Sequence, residues 1–479
     1  MTNALSVAQR GVQWTTLSTL FRALLFVLQL AVASRFLNAT ALGIFALVQL
    51  TVMFFQLLMD LGVGQSVIHQ QRTRRRHLNA LGFMCFCVAL GLAVGVYLLA
   101  PLVAFLFSSP GLVEPLRVAA LVFVFSGWSR MNLAVLQKHM RFGAIASAEF
   151  MAVFISVMCS ILLLLMGHGV YALIAGIVMN QGLLALFLWL FSGRKWFFSL
   201  PDNWTELRRY WHFGLYQSGA NVVNFFNSQV DVILVGKLLG TEILGGYHLV
   251  RQLCFKPAML INPVVTRVAY PYMAKMREHT DLATTYAMIV KLLSWVNFSL
   301  YAAMAVFAEP LIAVFFGPAW LHVTGLMQIL AVWCLLRSAQ NPVGALLMAV
   351  GKVRRSLWWN VALLLLFPAS IAVGTQWGVI GVATALAATQ FVAYFGHWWW
   401  LLFKTVGLSA GQYSLALARP ASAALLCAAC AVVLMRAFAI ESPLWILLLG
   451  AVVWGLSWLV CIVIFEPQAA RWLRLRIGS

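Results

Sequence analysis

The chain has 479 residues, of which 63% are hydrophobic and only 9% charged, with a formal net charge of +20. Mean hydropathy is +0.93. Soluble globular domains carry roughly a quarter of their residues as charges, so this composition excludes a soluble enzyme or nucleic-acid-binding domain and leaves an integral membrane protein. Apolar runs of roughly 20 residues recur along the whole length, which excludes a barrel of alternating strands and makes the protein all-α.

In chain order the apolar runs predict about fourteen transmembrane helices, over 15–36, 41–60, 80–100, 116–136, 144–166, 170–191, 213–236, 244–268, 288–308, 322–350, 357–374, 378–403, 415–436 and 443–465. The opening "MTNALSVAQRGVQW" has no short apolar core followed by a small-residue cleavage site, so the first run is expected to stay as a span. Basic residues gather on alternate loops: Arg72, Arg74, Arg75 and Arg76; Lys138 and Arg141; Arg194, Lys195, Arg208 and Arg209; Lys275 and Arg277; Lys352, Arg354 and Arg355; Arg471, Arg474 and Arg476. The opposite loops, such as "NAT" at 38–40 and "GTQWG" at 374–378, are nearly uncharged. The positive-inside rule then places the basic loops and both termini in the cytoplasm. Eight cysteines are scattered through apolar segments, where a thiol behaves as a small hydrophobe, so no metal or redox centre is expected.

The sequence repeats itself. "SRFLNATALGIFALV" (34–48) aligns with "GKLLGTEILGGYHLV" (236–250), pairing Leu42 with Leu244 and Gly43 with Gly245. "PLVAFLF" (101–107) aligns with "PLIAVFF" (310–316), and both proline-led segments read as short interfacial helices. Gly169, Val170 and Gln181 align in turn with Gly378, Val379 and Gln390. Three matches in one order indicate duplication. Each copy holds an even number of helices, so the repeats are parallel, which is a transporter architecture. The expected divisions are an N-lobe at 1–205, a C-lobe at 206–405, and two extra helices with a basic tail at 406–479.

Polar residues are concentrated in a few spans. Gln217, Asn221, Asn224, Asn227, Ser228 and Asp231 fall within an arc of roughly 120° on the seventh helix, opposite Val223, Phe226, Val230 and Ile233. Such a stripe is either interhelical glue or the wall of a hydrated cavity, and its length favours the wall. Ser18, Arg22 and Gln29 share a face of helix 1; Arg337, Gln340, Asn341 and Gly344 share one of helix 10, with Pro342 placed to break it. Arg251 and Lys256 lie in helix 8. Arg130 and Arg267 sit near span ends, where they can snorkel. Acids in the spans are few: Asp60, Glu149 and Asp231. An interior that is cationic and rich in amides suits a substrate with negative charge and many hydroxyls, such as a diphosphate-linked glycan.

Four segments, 11–48, 213–247, "INPVVTRVAYPYMAKM" (261–276) and 316–353, resemble the colanic-acid exporter group of oligosaccharide flippases. The resemblance implies the multidrug, oligosaccharidyl-lipid and polysaccharide exporter superfamily, with two six-helix lobes rocking around a central cavity. Related peptidoglycan-precursor flippases carry cavity arginines on helices 1, 2 and 8. Arg22 and Arg251 match the first and last of these, while helix 2 offers only Gln56 and Asp60.

The expected function is therefore translocation of an undecaprenyl-diphosphate-linked oligosaccharide across the bacterial inner membrane, without making or breaking a bond. Arg22, Arg251, Lys256 and Arg337 would hold the diphosphate or an acidic sugar. Asn221, Asn224, Asn227, Gln340 and Asn341 would bond the glycan, and Asp231 would bind a coupling H+ or Na+. No nucleotide motif is seen. A fold that closes on itself is expected to work as a monomer, and the resemblance adds polymerase and chain-length machinery as partners. A cation-coupled multidrug antiporter would need an acidic pocket. A glycan polymerase or ligase would need a large outer loop with arginines or histidines.

Overall fold

The computed structural model describes residues 2–59, 75–193, 204–275, 282–438 and 442–466. Asp60, Arg72, Arg74, Arg194, Lys195, Arg277, Arg471, Arg474 and Arg476 lie outside these residues, and the side chains of Gln217 and Arg267 lie outside the described side chains.

Among the described residues fourteen long helices follow one another: α1 (Thr2–Phe36), α2 (Ala39–Met59), α3 (Arg75–Leu106), α4 (Leu121–Lys138), α5 (Phe142–Leu165), α6 (Val170–Phe191), α7 (Trp204–Leu238), α8 (Gly240–Lys275), α9 (Leu282–Val306), α10 (Thr324–Ser338), α11 (Val353–Gly374), α12 (Gly378–Gly396), α13 (Ala410–Phe438) and α14 (Pro443–Phe465). No strand occurs among the described residues. Among the described residues eleven apolar stretches are long enough to cross a membrane, and one of them, Val353–Val406, contains both α11 and α12 around the tight turn Thr375–Trp377. Helices α7 and α8 fall outside that set because amides and charged side chains interrupt their apolar runs. Several helices outrun their apolar cores. α1 begins at Thr2 and α8 ends at Lys275, since hydropathy marks only the part matched to hydrocarbon, while backbone hydrogen bonding continues beyond it.

The chain packs as two compact units, Met1–His248 and Leu249–Ser479. The first takes in α7 because α2 packs along it, with Phe54 against Phe225 at 5.4 Å and Phe226 at 5.9 Å between ring centroids. The repeat expected from sequence spacing is visible in which helices pack together. In the first unit α3 packs on α4, α4 on α6 and α5 on α6; in the second α9 packs on α10, α10 on α12 and α11 on α12. Each pair in the second set is the first set advanced by six helices.

The two proline-led segments differ. Pro101 lies inside α3, which continues to Leu106, so the first expected interfacial helix is the end of a span. A membrane helix absorbs a proline where neighbouring groups satisfy the freed carbonyl. Its counterpart is a separate helix, Ala308–Phe315, because the backbone leaves helical geometry at Phe307. Pro342 does interrupt α10: the helix ends at Ser338, and Val343–Val350 resumes after a turn.

Helices α13 and α14, outside the duplication, are fastened to the second unit by aromatic contacts. Trp458 meets Trp295 edge-on at 5.1 Å, and the indole N–H of Trp454 donates to Ser299 Oγ at 3.0 Å.

Candidate functional site

In the second unit, the face of α8 formed by Arg251, Phe255, Ala258 and Asn262 repeats at four-, three- and four-residue steps, the spacing of one helical stripe. Arg251 lies against Phe255 with its guanidinium carbon 4.5 Å from the ring centroid. From α10, Arg337 approaches the same ring at 5.3 Å and the Trp333 ring at 5.4 Å. Phe255 and Trp333 themselves pack at 5.3 Å. Two cations are thus gathered on one aromatic pair. An arginine near the bilayer centre costs about 2.5–3.5 kcal/mol on insertion scales, and each ring face returns about 0.5–2 kcal/mol of cation–π attraction.

Beside this cluster opens a cavity of about 280 Å³, lined by Phe255, Asn262, Tyr301, Arg337, Ser338 and Asn341 among others. One wall is fixed by a hydrogen bond from Asn297 Nδ2 to Asn262 Oδ1 at 3.2 Å. The lining supplies a guanidinium, two amides and two hydroxyls beside aromatic rings. That set pairs an oxyanion, stacks a sugar ring and exchanges hydrogen bonds with hydroxyls.

Of the residues expected from sequence, Arg337 and Asn341 line the cavity, Arg251 shares the Phe255 ring, and Lys256 follows Phe255, half-buried. Gln340 lies in the turn just after α10, where its Oε1 accepts a hydrogen bond from Gln390 Nε2 at 2.9 Å, tying that turn to α12. Phe255, Asn262 and Tyr301 were missed. The first two could have been found by extending the Arg251 stripe, whereas Tyr301 arrives from α9 through tertiary packing that no local period marks.

The first unit holds the other expected residues. On α7, Asn224 is exposed, Asn221 and Asn227 are half-buried, and Asp231 is buried. Asp231 Oδ2 accepts from the hydroxyl of Tyr247, itself fully buried, at 2.7 Å. On α1, Arg22 donates through Nη1 to Glu149 Oε2 at 2.6 Å and through Nη2 to Thr19 Oγ1 at 3.1 Å. One turn-set farther along α1, Gln29 donates to Ser160 Oγ at 2.9 Å, and Ser160 donates on to the Ala172 carbonyl at 3.0 Å. The polar face of α1 is therefore engaged with α5, which supplies the counter-charge that the sequence placed in the same span but could not pair.

The described helices, with cations and amides held against protein rings and amides, define a polytopic membrane protein of transporter architecture. The fold is similar to that of the lipid II flippase MurJ in an inward closed conformation, with a TM-score of 0.79 at 12% identity over 95% of this chain and 99% of that one. The chain belongs to the polysaccharide biosynthesis protein family, whose sequence profile matches residues 32–324. It is similar to the teichuronic acid biosynthesis protein TuaB of Bacillus subtilis (strain 168), with 26% identity over 411 residues, covering 86% of this chain and 85% of the relative. It is also similar to the lipopolysaccharide biosynthesis protein WzxC of Escherichia coli (strain K12), with 26% identity over 417 residues, 86% of this chain and 84% of the relative. The resemblance carried by 213–247 and 261–276 is borne out at the level of the family.

Proposed function

We propose that the protein translocates a diphosphate-linked oligosaccharide, carried on a polyprenyl lipid, between leaflets of the bacterial inner membrane, with both termini cytoplasmic. The observation that carries this reading is the cavity at Arg337, Asn262 and Asn341 beside the Arg251–Phe255–Arg337 cluster, in a chain of a polysaccharide biosynthesis family. Guanidinium groups match phosphate or carboxylate oxygens, and amides both donate to and accept from sugar hydroxyls. The lipid tail needs no protein site, because it stays in hydrocarbon while the head group crosses among protein dipoles and water.

In this reading Arg251, Lys256, Arg337 and Arg22 hold the anionic group, and Asn221, Asn224, Asn227 and Asn341 meet the glycan. Gln340 serves through its bond to Gln390. Asp231, if it binds a coupling H+ or Na+, does so by exchanging the Tyr247 hydroxyl for the ion. The protein acts as a monomer and hands its cargo to polymerase and chain-length machinery.

The test is the leaflet distribution of radiolabelled undecaprenyl-diphosphate-linked repeat units in cells lacking the protein, with plasmid-borne wild type or Arg337→Ala. Accumulation in the cytoplasmic leaflet, relieved by wild type and not by the variant, supports the reading. Normal crossing without the protein overturns it, and drug efflux is then measured.

A further inference from the structure

The two mid-span carboxylates whose side chains the structure describes are placed in opposite circumstances. Asp231 is 2% exposed and receives the Tyr247 hydroxyl. Glu149 keeps 30% of its side chain exposed, and its partner Arg22 keeps 29%. Although the two groups lie 127 residues apart, they meet at 2.6 Å through a single pair of atoms, Nη1 and Oε2. A guanidinium and a carboxylate built only to fasten two helices can use the two-bond fork, which is the stronger and more directional arrangement. Here one contact goes to Glu149 and one to Thr19, so the two-bond fork to the carboxylate is not used.

A pair that is partly exposed, engaged through one oxygen and set inside a span can be opened by a competing oxyanion. A diphosphate presents more charge and more acceptor oxygens than a carboxylate, and it satisfies a planar fork better. We propose that Glu149 is the resident counter-anion of Arg22: it holds the guanidinium in place and balances its charge while the site is empty, and yields it to the anionic group of the substrate. Glu149 is thus a positioning and selectivity residue. It sets the threshold of negative charge an incoming head group must carry, so neutral or singly charged lipids fail to displace it. This inference rests on the flippase reading.

The test is binding of farnesyl diphosphate, a short polyprenyl diphosphate, to the full chain in nanodiscs, with farnesyl monophosphate as the second probe. For a pair closed about nine-tenths of the time, removing the internal competitor raises apparent affinity about tenfold. Glu149→Gln is therefore expected to bind farnesyl diphosphate about tenfold more tightly and to gain binding of the monophosphate, while Arg22→Ala loses affinity for both. The exchanged pair Arg22→Glu with Glu149→Arg is expected to unfold at the wild-type temperature yet bind neither probe at this site.

Unchanged or weaker binding by Glu149→Gln, or wild-type binding by the exchanged pair, overturns the proposal and makes the pair a structural fastener. If wild type binds the diphosphate and loses it in Arg337→Ala but ignores every change at Arg22 and Glu149, this inference fails and the flippase reading stands. If wild type binds no diphosphate, both fail.

Discussion

Gly43 and Gly245 hold equivalent positions in the two copies of the repeat, and each receives a backbone carbonyl from the other copy where a side chain would begin. A Cβ on Gly43 would collide with the Thr241 carbonyl oxygen, and a Cβ on Gly245 would collide with that of Ala39. Ala39 and Thr241 are themselves equivalent under the same alignment, so the contact is reciprocal. The openings of α2 and α8 thus approach at backbone distance, the arrangement that small residues permit between membrane helices. Duplication explains why the glycine occurs twice, and the geometry explains why it is glycine.

Gly43→Ala and Gly245→Ala should each force these helix ends apart, at a cost of about 1–3 kcal/mol as for other overpacking changes. Gly91→Ala and Gly95→Ala in α3 meet nothing within 4 Å and should be neutral or stabilising by up to about 1 kcal/mol from helix propensity. Thermal unfolding of the four purified variants in detergent checks both halves. Equal behaviour of the two sets would contradict the contact.

Much of this fold was legible because hydrocarbon imposes a length on every span, and because duplication left Gly43 and Gly245 in matching contexts. The cation cluster was half legible. Arg251 and Arg337 stood out as charges in apolar helices, and Phe255 lies one turn from Arg251, but nothing in the sequence says that Arg337 comes to the same ring. The partner of Arg22 was not legible at all, since Glu149 lies on another helix and pairing across 127 residues is a property of packing. Gln340 was read as facing substrate by its helical period, whereas the helix ends at Ser338 and Gln340 sits in the following turn, bonded to Gln390 of α12. Periodicity names the face and leaves its neighbour open.

Phe255 should matter to transport although it carries no charge. Phe255→Leu keeps an apolar side chain but removes the ring that both Arg251 and Arg337 lie against. With a desolvated cation–π contact worth about 1–2 kcal/mol, flipping measured by leaflet distribution should fall about tenfold. Arg337→Lys should fall similarly, since an ammonium keeps the charge but loses the planar group that stacks on Trp333. Full activity in both variants would show that the ring is only filler.

The Asp231–Tyr247 bond predicts a stability effect separable from transport. Tyr247→Phe removes a buried hydroxyl that donates to a buried carboxylate, which should cost about 1.5–3 kcal/mol in unfolding. Asp231→Asn leaves an acceptor for the same hydroxyl and should cost less. If Asp231 also binds the coupling ion, Asp231→Asn alone abolishes the dependence of flipping on the proton or sodium gradient in vesicles.

Gln340 separates a structural amide from a substrate-binding one. Its bond with Gln390 joins the turn after α10 to α12 in a partly buried setting. Replacing one partner leaves the other amide in an apolar seam and should cost about 1–3 kcal/mol, whereas replacing both by residues of similar shape is nearly neutral for a buried hydrogen-bonded pair. Gln340→Leu and Gln390→Leu should therefore each lower the unfolding temperature, and the double variant should recover most of the loss. Transport should follow the same pattern, with the double variant close to wild type, because the amide serves the seam. Recovery of stability without recovery of flipping would instead return Gln340 to the glycan.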